Sequence, residues 1–247
     1  MEKFFKLKEN GTNIKTEIIA GFTTFMTMAY ILAVNPDILG ATGMDKGAVF
    51  TATVISSLIA TLVMALLANL PFALAPGMGL NAFFAYTVVI GMGQSWQTAL
   101  TAVLIEGIIF IILTAFNVRE AIVNSIPLNM KRAISVGIGL FIAFIGLQNS
   151  QIIVNNDATL IGLGNITSGN GLLAIIGIII ISILLSYNVR GAILLGILIT
   201  SIIGIPMGIT KLSPHGSFMP PSLEPIAFKF DFINILSPNM IIVIFTF

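Results

Sequence analysis

Long apolar runs separated by short polar connections organise this chain. A helix needs about 17 to 25 apolar residues to cross a bilayer. Seven stretches match or approach that length: Ile18–Val34, Ala48–Ala68, Phe72–Ile90, Thr98–Phe116, Ile134–Leu147, Gly171–Leu185 and Gly191–Gly208. The fifth and sixth are the shorter ones. An eighth begins near Asn239 and runs to Phe247. As a helix it would reach about 14 Å, less than half of the ~30 Å hydrocarbon core. The pattern therefore predicts a chain that stops inside a span, either as a fragment or as a part completed from elsewhere. No internal repeat is visible among the runs.

The third run is interrupted. Leu74-Ala75-Pro76-Gly77-Met78-Gly79-Leu80-Asn81-Ala82-Phe83-Phe84 puts helix-disturbing residues and an amide in the middle of an apolar stretch. Pro76 removes a donor and pushes Ala75 toward extended angles, so Phe72 to Ala75 is a candidate extended segment at membrane depth. Irregular backbone at that depth is tolerated only where protein buries it or a cavity wets it. Gly77 and Gly79 allow a turn and close approach of a ligand. A half-helix restarting at Leu80 would offer free N–H groups and the positive end of a dipole. Asn81 adds an acceptor and two donors, which suits the edge of a flat heterocycle, and Phe83 and Phe84 offer stacking faces. The competing explanation is helix packing, because Gly and Pro are common in membrane helices and small residues let helices approach.

The connections divide the chain further. Residues 1–17 form a charged N-terminal segment, 18–116 hold the first four spans, 117–133 form a linker, and 134–208 hold spans five to seven. Residues 209–238 form a Pro-rich loop, and 239–247 start the eighth span. In the linker, Val118, Ala121, Ile122, Ser125 and Ile126 recur at near-helical spacing before Pro127. This fits an amphipathic helix on the lipid interface or a plain loop. In the Pro-rich loop, Phe228, Phe230 and Phe232 alternate with Lys229 and Asp231, which suggests a short strand or an interface-dipping turn. His215 reads as a solvated loop residue. With the N-terminus cytoplasmic, the inner flanks hold Lys3, Lys6, Lys8, Lys15, Arg119, Lys131, Arg132 and Arg190, against Lys46, Lys211 and Lys229 outside. That asymmetry favours N-in, and Trp96 then falls at the outer interface. No small-residue cleavage site follows the first run, so it reads as an uncleaved span.

Composition fixes the class and removes others. The chain is 57% hydrophobic and 9% charged, against roughly 25% charged in soluble domains, so it cannot clothe a water-facing surface. Net charge is +1, which gives no electrostatic case for nucleic acid. Cysteine is absent and histidine occurs once, which leaves no thiolate chemistry and no His-cluster metal site. No cofactor is implied.

Two further polar features lie within the runs. Thr16, Thr23, Thr27 and Tyr30 share one helical face of span one. They form either a polar wall toward a substrate cavity or a set of hydroxyls bonded back to their own helix. Glu106 is the acidic residue deep in span four, and an intramembrane carboxylate is a functional candidate by default. It either carries a coupling proton, lining a cavity, or is a protonated packing residue. Arg119 lies about 20 Å further along the helix and is no partner for it.

Several strings together resemble the nucleobase–cation symporter (xanthine/uracil permease) family, in its hypoxanthine/guanine/adenine permease branch. They are Thr16-Glu17-Ile18-Ile19-Ala20-Gly21-Phe22-Thr23-Thr24-Phe25, Met28-Ala29-Tyr30-Ile31 with Val34-Asn35-Pro36, and Ala75 to Phe84. To these add Arg119-Glu120-Ala121-Ile122 with Ile126-Pro127, and Gly137 to Ala143 with Gly146-Leu147. The resemblance implies an all-α integral membrane fold of two inverted seven-span repeats, of which this chain is the first, with a broken third span. It implies a core domain containing spans one to four and a gate containing five to seven. The purine site would lie at the broken span, with Gly79 and Asn81 as contacts. Acidic residues for base recognition and proton coupling would lie in the missing second repeat.

The favoured function for the intact parent is proton-driven import of purine nucleobases by alternating access. The substrate-binding candidates are Gly77, Gly79, Asn81, Phe83, Thr27 and Tyr30. An anion exchanger or channel using the same half-helix end is the alternative. A membrane-embedded enzyme would need converging acids, bases or metal ligands at depth, which are lacking. A purely structural module would tolerate Leu and Ala throughout Pro76–Asn81. Two N-in copies would pair parallel halves where the fold needs antiparallel ones, so a second copy does not supply the missing repeat; any homodimer would be one of the intact parent. Vesicles containing only these 247 residues are accordingly expected to take up no purine. Measured uptake would overturn that expectation.

Overall fold

The first helix starts where its sequence provides a cap. Asn13 has extended angles and its side chain accepts from the backbone N–H of Thr16, which opens α1 (Ile14–Met28). The chain then turns at Ala29–Tyr30 and resumes as α2 (Ile31–Gly40), which contains Pro36. Span one was expected to be continuous over 18–34. It is longer and interrupted: Leu32 N–H bonds Ala29 O, while both Ala33 and Val34 bond Tyr30 O. Tyr30 lies in that turn. The structure, a computed structural model, describes residues 4–116, 118–211, 219–233, 235 and 238–246. His215 lies outside the described residues.

Asp45 opens α3 (Lys46–Val63), its carboxylate accepting from Ala48 N–H at 2.7 Å. α3 widens into a π-helical turn, Met64–Ala68, and ends at Asn69 in the left-handed conformation (φ +53°). Asn is among the few residues that take that conformation at low cost. Residues 69–77 carry neither helix nor strand. α4 (Met78–Ala82) follows and continues as π-helix over Phe83–Gly91. Ser95 then caps α5 (Trp96–Ala115). The linker resolves in favour of a helix, α6 (Val118–Ser125), with α7 (Leu128–Asn149) after Pro127. α7 is longer than the apolar run 134–147 because its first turns contain Lys131 and Arg132, which hydropathy excludes and a helix tolerates.

The described residues are helical as expected, apart from one short hairpin. β1 (Ile153–Asn156) and β2 (Leu160–Leu163) pair antiparallel, with Ile153 opposite Leu163 and Asn156 opposite Leu160. The Asn156 carboxamide closes the turn by accepting from Ala158 and Thr159 N–H. α8 (Gly169–Ser186), α9 (Ala192–Gly204) and α10 (Pro238–Thr246) complete the order. No strand forms over 219–233, where Phe228 takes φ +55° and interrupts the expected alternation.

Among the described residues, five helical stretches are long and apolar enough to cross a membrane: Ile14–Gly40, Lys46–Ala68, Trp96–Ala115, Leu128–Asn149 and Gly169–Ser186. Met78–Gly91 and Ala192–Gly204 are shorter and apolar. Their outward faces carry large side chains such as Phe22, Leu67, Ile111 and Leu140. Lipid satisfies such faces, so the helices must hold to one another by close packing.

The described residues form two compact units whose division passes through α2, α3 and α7. The first holds Met1–Val34, Thr53–Pro76 and Gly146–Pro220. In it α8 and α9 pack through small residues. A β-carbon at Gly196 would collide with Ile181 Cγ1, and one at Gly177 would lie 3.0 Å from the Thr200 side chain. Gly191 enters α9 at φ +74° with the Met26 side chain of α1 against it, so both conformation and space require glycine there.

The second unit holds Asn35–Ala52, Gly77–Ile145 and Pro221–Phe247. Its centre is α5, against which α10 packs, with Ala99, Ala102 and Met240 fully buried. The segment after Pro220 is strapped across two helix starts. Thr51 donates to Pro221 O at 2.8 Å, and Pro221 lies over Gly47. Further on, Asp231 accepts from Thr98 Oγ1 at 3.0 Å while its N–H donates to Thr101 Oγ1 at 2.9 Å.

Candidate functional site

The stretch between α3 and α4 is where backbone polar groups leave helical pairing. A chain segment in an apolar setting must find partners for those groups or lose several kcal/mol per group. Leu74 finds both in one side chain. Its N–H donates to Thr61 Oγ1 at 3.0 Å, and Thr61 Oγ1 donates to its carbonyl at 3.3 Å. At the other end Asn69 donates from Nδ2 to Phe4 O at 3.2 Å, tying the N-terminal segment to the end of the π-helical turn. Neither Thr61 nor Asn69 follows from the sequence as a partner of this stretch, since their hydrogen bonds span 13 and 65 positions.

Gly77 is extended (φ −76°, ψ 109°) and stands at the N-cap position of α4, where a β-carbon would meet nothing within 4 Å. A side chain at this position would therefore enter open space. Asn81 N–H closes the first turn onto Gly77 O at 3.1 Å. Gly79 has another surrounding: a β-carbon there would lie 2.6 Å from Ile138 Cγ2 of α7. The Ile138 side chain stands against it, which is compatible with the packing role weighed in the sequence. Phe83 is half-buried and starts the π-helix, with its N–H shared between Gly79 O and Leu80 O. Phe84, next in sequence, is buried.

Asn81 is half-buried, and its Nδ2 donates to Asn35 Oδ1 at 2.6 Å. Asn35 itself is 3% exposed on α2, one residue before Pro36. Asn35 was legible only as part of a motif string; a pairing across 46 positions leaves no local signal. After this bond Asn81 retains a carbonyl oxygen and one N–H. A donor–acceptor pair on one planar group is what the edge of a nucleobase matches.

Thr27 and Tyr30 belong to the first unit and the Gly77–Phe83 group to the second. Thr27 Oγ1 donates to Thr24 O, Thr23 Oγ1 to Ile19 O and Thr24 Oγ1 to Ala20 O, all at 2.8–2.9 Å. These hydroxyls bond back to their own helix and add no buried donor of their own. Glu106 lies mid-way along α5, half-buried, between Ile105 and Gly107. No hydrogen bond or ion pair joins it to another described residue. A shallow open depression of ≈ 400 Å³ is lined by Ser95, Gln97, Lys229, Phe230 and Asp231, at the start of α5. It contains none of the substrate-binding candidates, but it includes Lys229, Phe230 and Asp231 of the alternating segment.

These features define a multi-pass helical membrane protein. The family model described as the Permease family matches residues 15–247. The chain belongs to this family, the xanthine/uracil permeases. A Methanocaldococcus jannaschii protein named only as a permease is 54% identical over 248 residues, covering all of this chain and 57% of that protein. The adenine permease AdeP of Escherichia coli is 44% identical over 247 residues, 100% of this chain and 55% of its own. The guanine/hypoxanthine permease PbuG of Bacillus subtilis is 46% identical over 259 residues, 100% of this chain and 59% of its own. The chain thus spans somewhat more than half the length of these relatives.

Proposed function

We propose that the protein containing these residues imports purine nucleobases as a secondary active transporter coupled to protons. The likeness along the whole chain to permeases of adenine and of guanine/hypoxanthine carries this reading. The geometry around Asn81 supports it: a half-buried carboxamide next to a helix start with open space at Gly77. The third span acts as an interrupted crossing, with residues 69–77 as its extended part and Met78–Gly91 as its half-helix. Gly77, Gly79, Asn81 and Phe83 meet the base directly, and Thr27 and Tyr30 line the path. Spans one to four belong to a core and five to seven to a gate. A second, inverted set of seven spans completes the transporter. Alternating access then carries the base from one side of the plasma membrane to the other, with the N-terminus cytoplasmic. The intact parent is the species that dimerises.

The test is uptake of labelled adenine and hypoxanthine by cells lacking their own purine permeases and expressing the full reading frame that contains this chain. Accumulation is expected, and it should collapse on adding a protonophore while persisting when sodium is replaced by choline. Absence of accumulation at normal membrane abundance overturns the transport reading; accumulation indifferent to the protonophore overturns proton coupling.

A further inference from the structure

We propose that Asn35 is a positioning residue that fixes the orientation of the Asn81 carboxamide, so that Asn81 presents its oxygen and one N–H to the base in a set order. The inference rests on the reading of Asn81 as a purine contact. It adds a residue with no role so far, and it states which way the contacting group faces.

A primary amide on a helix surface rotates and flips, offering a donor or an acceptor at either position. Such a group binds many edges and discriminates poorly, because each binding event must first freeze its torsion. A carboxamide already fixed loses less freedom on binding. Asn81 is fixed by one short bond, Nδ2 to Asn35 Oδ1 at 2.6 Å. Asn35 can do this because it is 3% exposed and is itself engaged beyond this bond. In a buried setting water does not compete, and breaking the bond would orphan a polar atom. With one N–H committed, the other N–H and the carbonyl oxygen of Asn81 are aimed by the C–N bond geometry. The complementary ligand edge is an N–H donor beside an acceptor, the pattern of N1–H with C6=O in an oxopurine, or of the exocyclic amine with a ring nitrogen in adenine.

The geometry also separates this role from that of a plain core residue. The bond needs an acceptor at position 35 and nothing more, so a carboxylate oxygen serves and an apolar side chain of equal size does not. Asn35→Asp keeps the acceptor; Asn35→Leu keeps the volume alone.

The experiment measures initial rates of labelled hypoxanthine uptake, at matched membrane abundance, in the full-length transporter. Asn35→Leu is expected to raise KM about tenfold, with the maximal rate within about twofold, the loss of roughly one oriented hydrogen bond. Asn35→Asp is expected to hold KM within about threefold of the parent. Added to Asn81→Ala, Asn35→Leu is expected to raise KM no further, because the group it orients is gone. Three results overturn the inference alone: unchanged KM in Asn35→Leu, equal damage from Asp and Leu, or additive losses in the double variant. If Asn81→Ala by itself leaves KM unchanged, the reading of Asn81 as a purine contact fails, and this inference with it. Should Asn35→Leu fail to reach the membrane, Asn35→Asp and Asn35→Ser still decide, since the hydroxyl is too short to span to Nδ2 and should behave as the apolar variant.

Discussion

Asn81→Ala is expected to raise the KM for purine uptake by about 30- to 150-fold, with the amount of protein in the membrane unchanged. The variant removes a donor and an acceptor from a site where water is partly excluded. Two such bonds to a polar ring edge amount to about 2–3 kcal/mol, and each 1.4 kcal/mol is a factor of ten. Asn35 Oδ1 loses its partner at the same time, which alone would threaten folding because Asn35 is buried. Asn81 is half-buried, however, and the volume its side chain vacates admits a water to that oxygen. The fold should therefore survive where the affinity does not. A small-anion carrier built on the same helix start would depend on backbone N–H groups and would lose little flux. Parallel measurements of labelled purine and of chloride or nitrate flux decide between them. Purine uptake of normal affinity in this variant would remove the site from the Asn81 region.

Asp231→Ala should lower the stability of the second unit by about 2–4 kcal/mol and expose the segment 219–233 to protease. The carboxylate accepts from Thr98 Oγ1 at 3.0 Å and from Ile233 N–H at 3.0 Å. Hydrogen bonds to an ionised group contribute about 1.5–3 kcal/mol each where they are shielded, and less at the exposed Ile233. Thr98 stands in the first turn of α5, so the negative charge also meets the positive end of that helix, worth roughly 0.3–1 kcal/mol. Asp231→Asn keeps both acceptor geometries in part and should lose about half as much. Thermal unfolding of the purified protein in detergent, together with limited proteolysis, provides the readout. A segment equally resistant in the alanine variant would show that Thr51 and Pro221 hold the strap without help.

Membrane class and helix positions were legible because lipid imposes a length on every crossing. The runs 48–68, 98–116, 171–185 and the start near Asn239 match α3 with its π turn, α5, α8 and α10 to within two residues. What escaped has a physical cause in each case. The interruption at Ala29–Tyr30 carries no Gly or Pro; the nearest proline, Pro36, lies inside α2, where neighbouring protein accommodates it. The hairpin 153–163 is marked by Ile153-Val154 and by Asn155-Asn156-Asp157, but it was too short for a hydropathy pattern tuned to spans. The π-helix over Phe83–Gly91 has no sequence signature, since i→i+5 pairing is decided by packing. At the site, Asn81 was conspicuous as an amide in an apolar run, whereas Asn35 and Thr61 matter through partners 46 and 13 positions away. Thr23 and Thr27 illustrate the reverse: their shared face suggested a wall, and their hydroxyls are spent on their own helix.

The absence of clearance between α8 and α9 constrains how the first unit can deform. Where Gly196 meets Ile181 and Gly177 meets Thr200, neither helix can slide or roll past the other without a collision of carbon on carbon. Lipid offers no lubricating water to fill a gap that opened there. The pair must travel as one lever arm, with its bending confined to the ends, at the Tyr187–Gly191 turn and beyond Gly204.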